Sequence, residues 1–405
     1  MMRQYPNIPV LGPVVVILVL ATVLLQSRCG SDTLGVQELG WPQGDWPVST
    51  PAQEGIDPAA IDALVADIEA GTYGLIDHFT LIRHGRLVAD RHFEQDYQSI
   101  AAAYDTTSHQ YNYDHPDWHP YYQGTELHSL QSVTKSVTSV ALGIAIDKGL
   151  ISGVEAPAMS FFEAYAPDLS DARKGEMRLE DLLTMRSGIE WNENTPYTDP
   201  ENSCILMEAS DEWVPFVLGH PMDADPGTVW EYNSGASVLL GKIVQVATGQ
   251  RIDAWAKEQL FDPIGIEDFY WKITPSGEVD TEGGLYLSAQ DLARVGYLFL
   301  RNGVWDERRI VSEEWVRAST SPVVTDILPE NGRADSGYGY QWWVPDHDGE
   351  NTLVFAGNGY GGQFLLVAPD HDIVAVFNGW NIHGGARAST WRALQERIIP
   401  AIVSD

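Results

Sequence analysis

The sequence is poor in cysteine and in positive charge. Its 405 residues contain two cysteines, Cys29 in the N-terminal segment and Cys204, so we expect no disulfide to hold the folded domain together. No activating motif adjoins Cys204, which we interpret as a buried, inert thiol. Lys and Arg number 24 against 57 Asp and Glu, giving a formal net charge of -33. This charge excludes nucleic acid and anionic membrane surfaces as favoured partners.

The N-terminal segment predicts export. Arg3 precedes an apolar stretch at residues 9–25, whose uninterrupted part, residues 14–25, is shorter than a membrane span and typical of a signal peptide. We assign residues 1–29 to a signal peptide or membrane anchor, residues 30–50 to a linker and residues 51–405 to the catalytic domain. The domain would then be periplasmic or membrane-anchored outside the cytoplasm. Cys29 stands where lipoproteins carry a lipidated cysteine, but Arg28 is not the small residue that such cleavage prefers, so the processing stays open.

The first motif with chemical potential is a serine and a lysine three residues apart, Ser132-Val133-Thr134-Lys135, at the head of an apolar helix. Residues three apart share a helix face, so the Lys135 amine would lie beside the Ser132 hydroxyl. Burial and neighbouring cations would lower the pKa of Lys135, and a neutral amine can accept the serine proton. The alternative is a serine that caps the helix, followed by a solvated lysine.

Two further segments carry groups that suit acyl transfer. Tyr232 stands on a polar turn before a second apolar helix, where a phenol close to a lysine could relay protons, or could simply be a half-buried aromatic. Residues 356–363 are glycine-rich and lead into a predicted β-hairpin. Glycines there would let an acyl group approach the strand, so that a strand N–H and the N–H of Ser132 could bind an oxyanion. Glycines also mark bulges and tight turns.

Together these segments resemble the serine hydrolases related to class C β-lactamases and penicillin-binding proteins, especially the branch with 6-aminohexanoate-dimer hydrolases and esterases. Residues 131–136 are similar to the family's S-x-x-K box, residues 232–234 to its Y-x-N box and residues 359–363 to its third box. Residues 182–188, 283–293 and 338–343 match supporting segments. The resemblance covers nearly the whole domain.

The resemblance implies a two-step acyl transfer that needs neither a metal nor another cofactor. Ser132 would attack a carbonyl and form an acyl-enzyme that water hydrolyses, while Lys135 and Tyr232 handle the protons. Which of these two is the base stays open, because groups that share a proton titrate as a unit. The second and third boxes imply a set of substrate-binding residues: Ser234, Tyr360, Gly361, Gly362 and Gln363.

Two departures from the family pattern bear on the substrate. Ser234 stands where many relatives have asparagine, and the third box carries no lysine or arginine to bind a substrate carboxylate. We therefore rank hydrolysis of a carboxylic ester or a small linear amide above β-lactam turnover. The alternatives are a penicillin-recognising D,D-peptidase, a β-lactamase-type protein or acylation sensor, and a catalytically inactive scaffold.

The pattern of elements predicts an α+β fold. A helix at residues 57–70, a hairpin at residues 79–90, a terminal hairpin at residues 364–377 and a helix at residues 390–399 would build one lobe from both chain ends. Residues 150–316 read as mainly helical. We therefore expect an antiparallel sheet flanked by helices, with an inserted, mostly helical lobe and the site in the crevice between them.

Two sets of aromatic residues each allow two interpretations. Residues 104–122 combine three histidines, three aspartates and five tyrosines, but they lack compact zinc-ligand spacing. We therefore favour a loop beside the active-site entrance over a metal site. A second set could line a cleft for an apolar acyl group or pack in the core, namely Trp191, Trp230, Trp342, Trp343 and Tyr360.

Overall fold

The computed structural model describes residues 41–42, 44–102, 124–325, 327, 336–345, 353–383 and 386–403, all within one unit, Leu39–Asp405. The predicted signal segment, Cys29, most of the predicted linker and the aromatic segment at residues 104–122 lie outside these ranges. In the described part, no helix combines the length and the apolar character needed to cross a membrane. Trp46, near the end of the predicted linker, is buried against Tyr297 and Trp305 and donates a hydrogen bond to the carbonyl of Gln290.

Most helices of the described residues lie between the strand that ends at His92 and the strand that begins at Ser336. The α-helices are α1 Pro58–Glu69, α2 Tyr97–Ala102, α3 Val133–Asp147, α4 Ala172–Glu176, α5 Leu179–Leu183, α6 Ser203–Glu208, α7 Trp213–Gly219, α8 Ser234–Thr248, α9 Ile252–Ala256, α10 Asp262–Ile264, α11 Ala289–Leu300, α12 Glu313–Ser319 and α13 Thr390–Ala393. Two π-helical turns follow α9 and α13, at Lys257–Phe261 and Leu394–Ile398. Short 3-10 turns occur at Ala158–Phe161, Glu163–Tyr165, Pro369–His371, Asn381–His383 and Ile399–Ala401.

Seven strands from both chain ends form one antiparallel sheet. They are β1 Ile76–Arg83, β2 Arg86–His92, β8 Ser336–Tyr338, β9 Trp343–Pro345, β10 Phe355–Gly359, β11 Gln363–Ala368 and β12 Ile373–Gly379, in the order β2-β1-β12-β11-β10-β9-β8. Two small sheets contain β3 His128–Ser129, β5 Leu285–Leu287 and β4 Tyr270–Trp271, and β6 Val304–Trp305 with β7 Arg308–Arg309. The predicted pairing of the two terminal hairpins is confirmed, since β1 lies beside β12 with Phe79 opposite Phe377.

The large sheet is covered on both faces, because its strands send alternate side chains to two hydrophobic clusters. Leu366 and Phe377 face one cluster, which α1 and the C-terminal helical turns complete. Leu365 and Val376 face the other, which contains α3, α8 and α11. The predicted fold class is therefore confirmed: an α+β sheet flanked by helices, with a mostly helical lobe inserted between the strands from the two chain ends.

Helix α3, which begins directly after Ser132, lies inside this inserted arrangement and is buried nearly all round. Two of its buried hydroxyl groups donate hydrogen bonds to neighbouring backbone. The Ser136 hydroxyl donates to the carbonyl of Gln341 at 2.8 Å, and the Thr138 hydroxyl donates to the carbonyl of Thr281 at 3.2 Å. Because these bonds satisfy buried hydroxyls, a helix of mixed composition can hold Ser132 rigidly in the core.

Glycines bring β10 into close contact with the start of α3. A Cβ atom at Gly359 would lie 2.4 Å from the carbonyl oxygen of Leu130, and one at Gly357 would lie 2.8 Å from a methyl carbon of Val133. Larger residues would therefore push the strand away from the segment that carries Ser132. These glycines fit the strand against the protein's own helix.

We predict that Gly359→Ala destabilises the fold by about 1–3 kcal/mol, because the added methyl group meets backbone that must move. Urea unfolding followed by circular dichroism would measure this loss. Gly219→Ala is the matched control: that glycine ends α7, and an added Cβ would meet no atom within 4 Å. We expect the control to be neutral or slightly stabilising, and equal losses in both variants would contradict the packing argument.

Candidate active site

Ser132 stands between β3 and α3 on a constrained turn. The residue before it, Gln131, has a positive φ of 48°, an uncommon conformation for a residue with a side chain. Ser132 occupies the N-cap position, yet its hydroxyl makes no capping hydrogen bond. It instead accepts a hydrogen bond of 3.0 Å from Nζ of Lys135. The geometry therefore differs from that of a capping serine followed by a solvated lysine.

Lys135 is 1% exposed, and its ammonium group has three oxygen partners. Besides the Ser132 hydroxyl, Nζ donates to the backbone carbonyl of Glu282 at 2.7 Å and to Oε2 of the same residue at 3.1 Å. Burial alone would lower the pKa of Lys135, but the Tyr232 phenol and the carboxyl groups of Glu282 and Glu193 outweigh it and raise the pKa. From the sequence we expected neighbouring cations and a lowered pKa of Lys135, whereas the structure places acidic groups beside it.

Tyr232 completes the constellation from the turn before α8. Its ring centroid lies 5.2 Å from Nζ of Lys135, and Ser132 is close enough to affect the pKa of the phenol. The ring stacks on Trp343 at 5.8 Å, with Trp230 close by. Burial raises the pKa of Tyr232 more than the Lys135 charge and the Ser132 hydroxyl lower it. At neutral pH the resting site therefore holds a phenol and an ammonium ion, and the three predicted catalytic side chains meet in one place.

Ser234 of the second box is fully buried and binds a carboxyl group of the protein. Its N–H donates to Oε2 of Glu193 at 2.8 Å, and its hydroxyl donates to Oε1 at 2.7 Å. The same carboxyl group accepts hydrogen bonds from Trp191 Nε1 at 2.7 Å and from the Tyr197 hydroxyl at 2.9 Å. Burial raises the pKa of Glu193 despite the nearby Lys135. Ser234 thus fixes the start of α8, and Trp191 serves this buried network.

The third box forms the hairpin between β10 and β11. Gly361 and Gly362 have φ values of 85° and 98°, which the tight connection requires. Gln363 is buried, donates to the carbonyl of Gly379 and accepts from the Asn378 side chain, so its amide joins β11 to β12. Tyr360 is 43% exposed, donates from its hydroxyl to the carbonyl of Ile382 at 2.6 Å and lies edge-on to Tyr197. Of these residues, Tyr360 offers the most surface to a ligand.

The remaining aromatic candidates separate into two groups. Trp342 is fully buried and stacks on Phe299 in the core, while Trp343 and Trp230 surround the Tyr232 ring.

Cys204 is a buried free thiol, and its burial raises the pKa of the thiol well above the usual value. This position agrees with the expected inert cysteine.

Two acidic residues near Lys135 were missed by the sequence analysis. Glu282 directly precedes the supporting segment at residues 283–293, and Glu193 follows the segment at residues 182–188 by five positions. The sequence signal that could have identified Glu282 and Glu193 is that each lies close to a segment that matches the family. The chain offered no local spacing rule to connect either residue with Lys135, because Glu282 is 147 residues away.

Comparisons with known proteins agree with this geometry. The family model described as Beta-lactamase matches residues 64–395. The 6-aminohexanoate-dimer hydrolase of Paenarthrobacter ureafaciens is 28% identical over 290 residues, which are 68% of this chain and 71% of that protein. The lovastatin esterase of Penicillium rubens is 27% identical over 158 residues, 34% of this chain and 38% of that protein.

A solved structure supports the fold independently of close sequence identity. A Bacillus anthracis protein, described provisionally as a 6-aminohexanoate-dimer hydrolase, superposes with a TM-score of 0.65 at 19% identity. The match covers 89% of this chain and 87% of the Bacillus chain. With the family model matching most of the sequence, the chain belongs to the beta-lactamase family and is a hydrolase of that family.

Proposed function

We propose that this protein hydrolyses a carboxylic ester or a small linear amide through an acyl-enzyme on Ser132. The observation that carries the proposal is the 3.0 Å hydrogen bond between Lys135 Nζ and the Ser132 hydroxyl, with the Tyr232 ring 5.2 Å from the same Nζ. A nucleophile that is hydrogen-bonded to one proton-transfer group, with a second beside it, is the arrangement that acyl transfer requires. The relatives that act on an amide dimer and on an ester, by their names, support this class of reaction.

The reaction proceeds in two steps in this geometry. Ser132 Oγ bonds to the substrate carbonyl carbon while its proton passes to the unit formed by Lys135 and Tyr232, which returns a proton to the leaving alcohol or amine. Water then attacks the acyl-enzyme with the same groups acting in reverse. The N–H of Ser132 lies at the start of α3, where the positive end of the helix dipole favours the oxyanion.

Electrostatics around Tyr232 favour a neutral or cationic substrate. Burial and the nearby carboxyl groups of Asp223, Glu193 and Glu190 raise the pKa of Glu231, the neighbour of Tyr232, to about 7. Above that pH an acidic group stands beside the site, while the third box has no cation to offset a substrate carboxylate. This supports ester or linear amide hydrolysis over recognition of penicillin-like acids.

We also propose that the N-terminal segment directs the enzyme out of the cytoplasm. Its apolar residues 14–25 after Arg3 support this assignment. Expressed in a bacterial host, the full chain should accumulate outside the cytoplasm, either shortened at about residue 29 or held in the membrane fraction. Fractionation with N-terminal sequencing measures this, and an uncut chain in the cytoplasmic fraction would contradict it.

We predict that Ser132→Ala abolishes both labelling by a fluorophosphonate probe and hydrolysis of short p-nitrophenyl esters. Lys135→Ala and Tyr232→Phe should slow acylation by roughly 10²–10⁴-fold, because each removes a proton-transfer group. Ser139→Ala, a buried serine of the same helix, is the matched control and should keep both signals. Labelling of the wild type without turnover would instead indicate an acylation sensor, and neither signal would indicate a scaffold.

We predict that p-nitrophenyl butyrate has a kcat/KM at least about tenfold above that of p-nitrophenyl hemisuccinate, since like charges repel. Nitrocefin and D-alanyl-D-alanine peptides should be poor substrates for the same reason. The preference should grow as pH rises through about 7, because Glu231 is neutral below its pKa and negative above it. Glu231→Gln should remove this pH dependence. Preference for the anionic ester in the wild type would count against the proposed substrate class.

A further inference from the structure

We propose that Glu282 is a positioning residue that receives the resting proton of Lys135, so that the Lys135 amine can take the proton of Ser132. The inference rests on the proposed function of Ser132. It assigns a role to a residue that none of the three family boxes contains.

The geometry around Nζ of Lys135 shows why a proton acceptor is required. An ammonium group has three N–H donors and no acceptor, and here three oxygens receive them: Ser132 Oγ at 3.0 Å, the carbonyl of Glu282 at 2.7 Å and Oε2 of Glu282 at 3.1 Å. In this resting form the serine hydroxyl accepts a hydrogen bond from the lysine. Lys135 must therefore lose one proton before it can act as a base, and the carboxylate of Glu282 is in direct contact.

The transfer is balanced in charge. The ammonium of Lys135 gives one proton to Oε2 of Glu282, which produces a neutral amine and a neutral carboxylic acid. The amine then takes the proton of Ser132 as the Oγ–carbon bond forms. Both side chains are nearly out of contact with water, at 1% and 6% exposure, and burial penalises the ion pair more than the neutral pair. The resting site nevertheless holds the ion pair, and a bound substrate that shields it further from water would bring the neutral pair closer to it in free energy.

A second carboxyl group supports Glu282 from the far side. Glu208 on α6 hydrogen-bonds with Glu282, and burial together with the charges of Glu282 and Asp280 raises the pKa of Glu208 well above its usual value, despite nearby Lys272. A hydrogen bond between two carboxyl groups needs one proton, and we assign that proton to Glu208 as the donor to Glu282. The carboxyl pair carries a single negative charge, which faces Lys135.

Further titratable groups close to Lys135 and Glu282 are Tyr232, Glu193, Cys204 and Tyr197. Cys204 Sγ and oxygens of Glu208 and Glu282 lie within 4.8 Å of one another, a spacing that would also suit a metal ion. Positive charge is already supplied by the protein, since Lys135 pairs with Glu282 and the charge of Lys272 acts on Glu208. The experiment below separates the two interpretations.

The test is the rate at which a fluorophosphonate labels Ser132, measured from pH 6 to pH 9. In the wild type we expect a nearly flat profile, because the proton moves within the pair and none is released to solvent. In Glu282→Gln the amide keeps the size of the side chain but cannot take the proton. Lys135 must then release it to water, so the rate should fall about 10²-fold at pH 7 and rise about tenfold per pH unit.

Three further variants separate this role from simple packing. Glu282→Asp keeps a carboxylate and should restore a flat profile. Glu208→Gln replaces one neutral group with another and should also leave the profile flat. Cys204→Ser should behave like the wild type in this assay. A substitution that only disturbed the packing of the site would instead lower the labelling rate by the same factor at every pH.

Several outcomes would overturn the inference. A Glu282→Gln profile parallel to that of the wild type would exclude proton transfer to Glu282. Stoichiometric metal in the purified wild type, lost in Cys204→Ser, would identify the cluster as a metal site instead. If the wild type is not labelled at Ser132 at all, the proposed function fails and this inference fails with it, a result distinguishable from failure of Glu282 alone.

Discussion

A lysine side chain that is almost completely removed from water must find its compensation inside the protein, and this requirement organises the site. Lys135 meets it with the hydroxyl of Ser132, two oxygens of Glu282 and the nearby phenol of Tyr232. These groups come from three separate stretches of chain. The buried charge therefore ties the start of α3 to the loop before β5 and to the turn before α8, and loss of one partner would leave an expensive unpaired charge.

The sheet imposes a second constraint on the same point. Strand β10 approaches the turn before α3 so closely that only glycine fits at residues 357 and 359. The strand is fixed in turn by β11 and β12, which pair with β1 from the other end of the chain. The position of Ser132 therefore depends on the assembly of the N-terminal strand β1 with the C-terminal strands β10, β11 and β12, although none of the three catalytic side chains lies on these strands.

The sequence was sufficient to predict the features that obey local rules. The spacing of Ser132 and Lys135, the apolar character of α3 and α8, and the hairpins with their turn residues follow helix and strand periodicity. The roles of Glu193 and Glu282 could not be predicted in this way, because their contacts with the site exist only in the folded chain. Because these two acidic residues were missed, the pKa of Lys135 was expected to be lowered, whereas it is raised. The sequence indicates that Lys135 is buried, but long-range packing decides whether its neighbours are acidic or basic.

One charge pattern links catalysis with substrate choice. Glu282 and Glu193 are the acidic groups that keep Lys135 protonated. Glu193 also acts on Glu231, whose pKa is raised by burial and by the charges of Asp223, Glu193 and Glu190. A family member that binds substrate carboxylates needs a cation in its third box to offset such a field. Here that cation is missing, while the acidic groups remain. In the mechanism we propose, a field of this sign would stabilise a positively charged proton donor beside the leaving group and would repel an anionic acyl group. The same electrostatics would then support the chemistry and restrict the substrate.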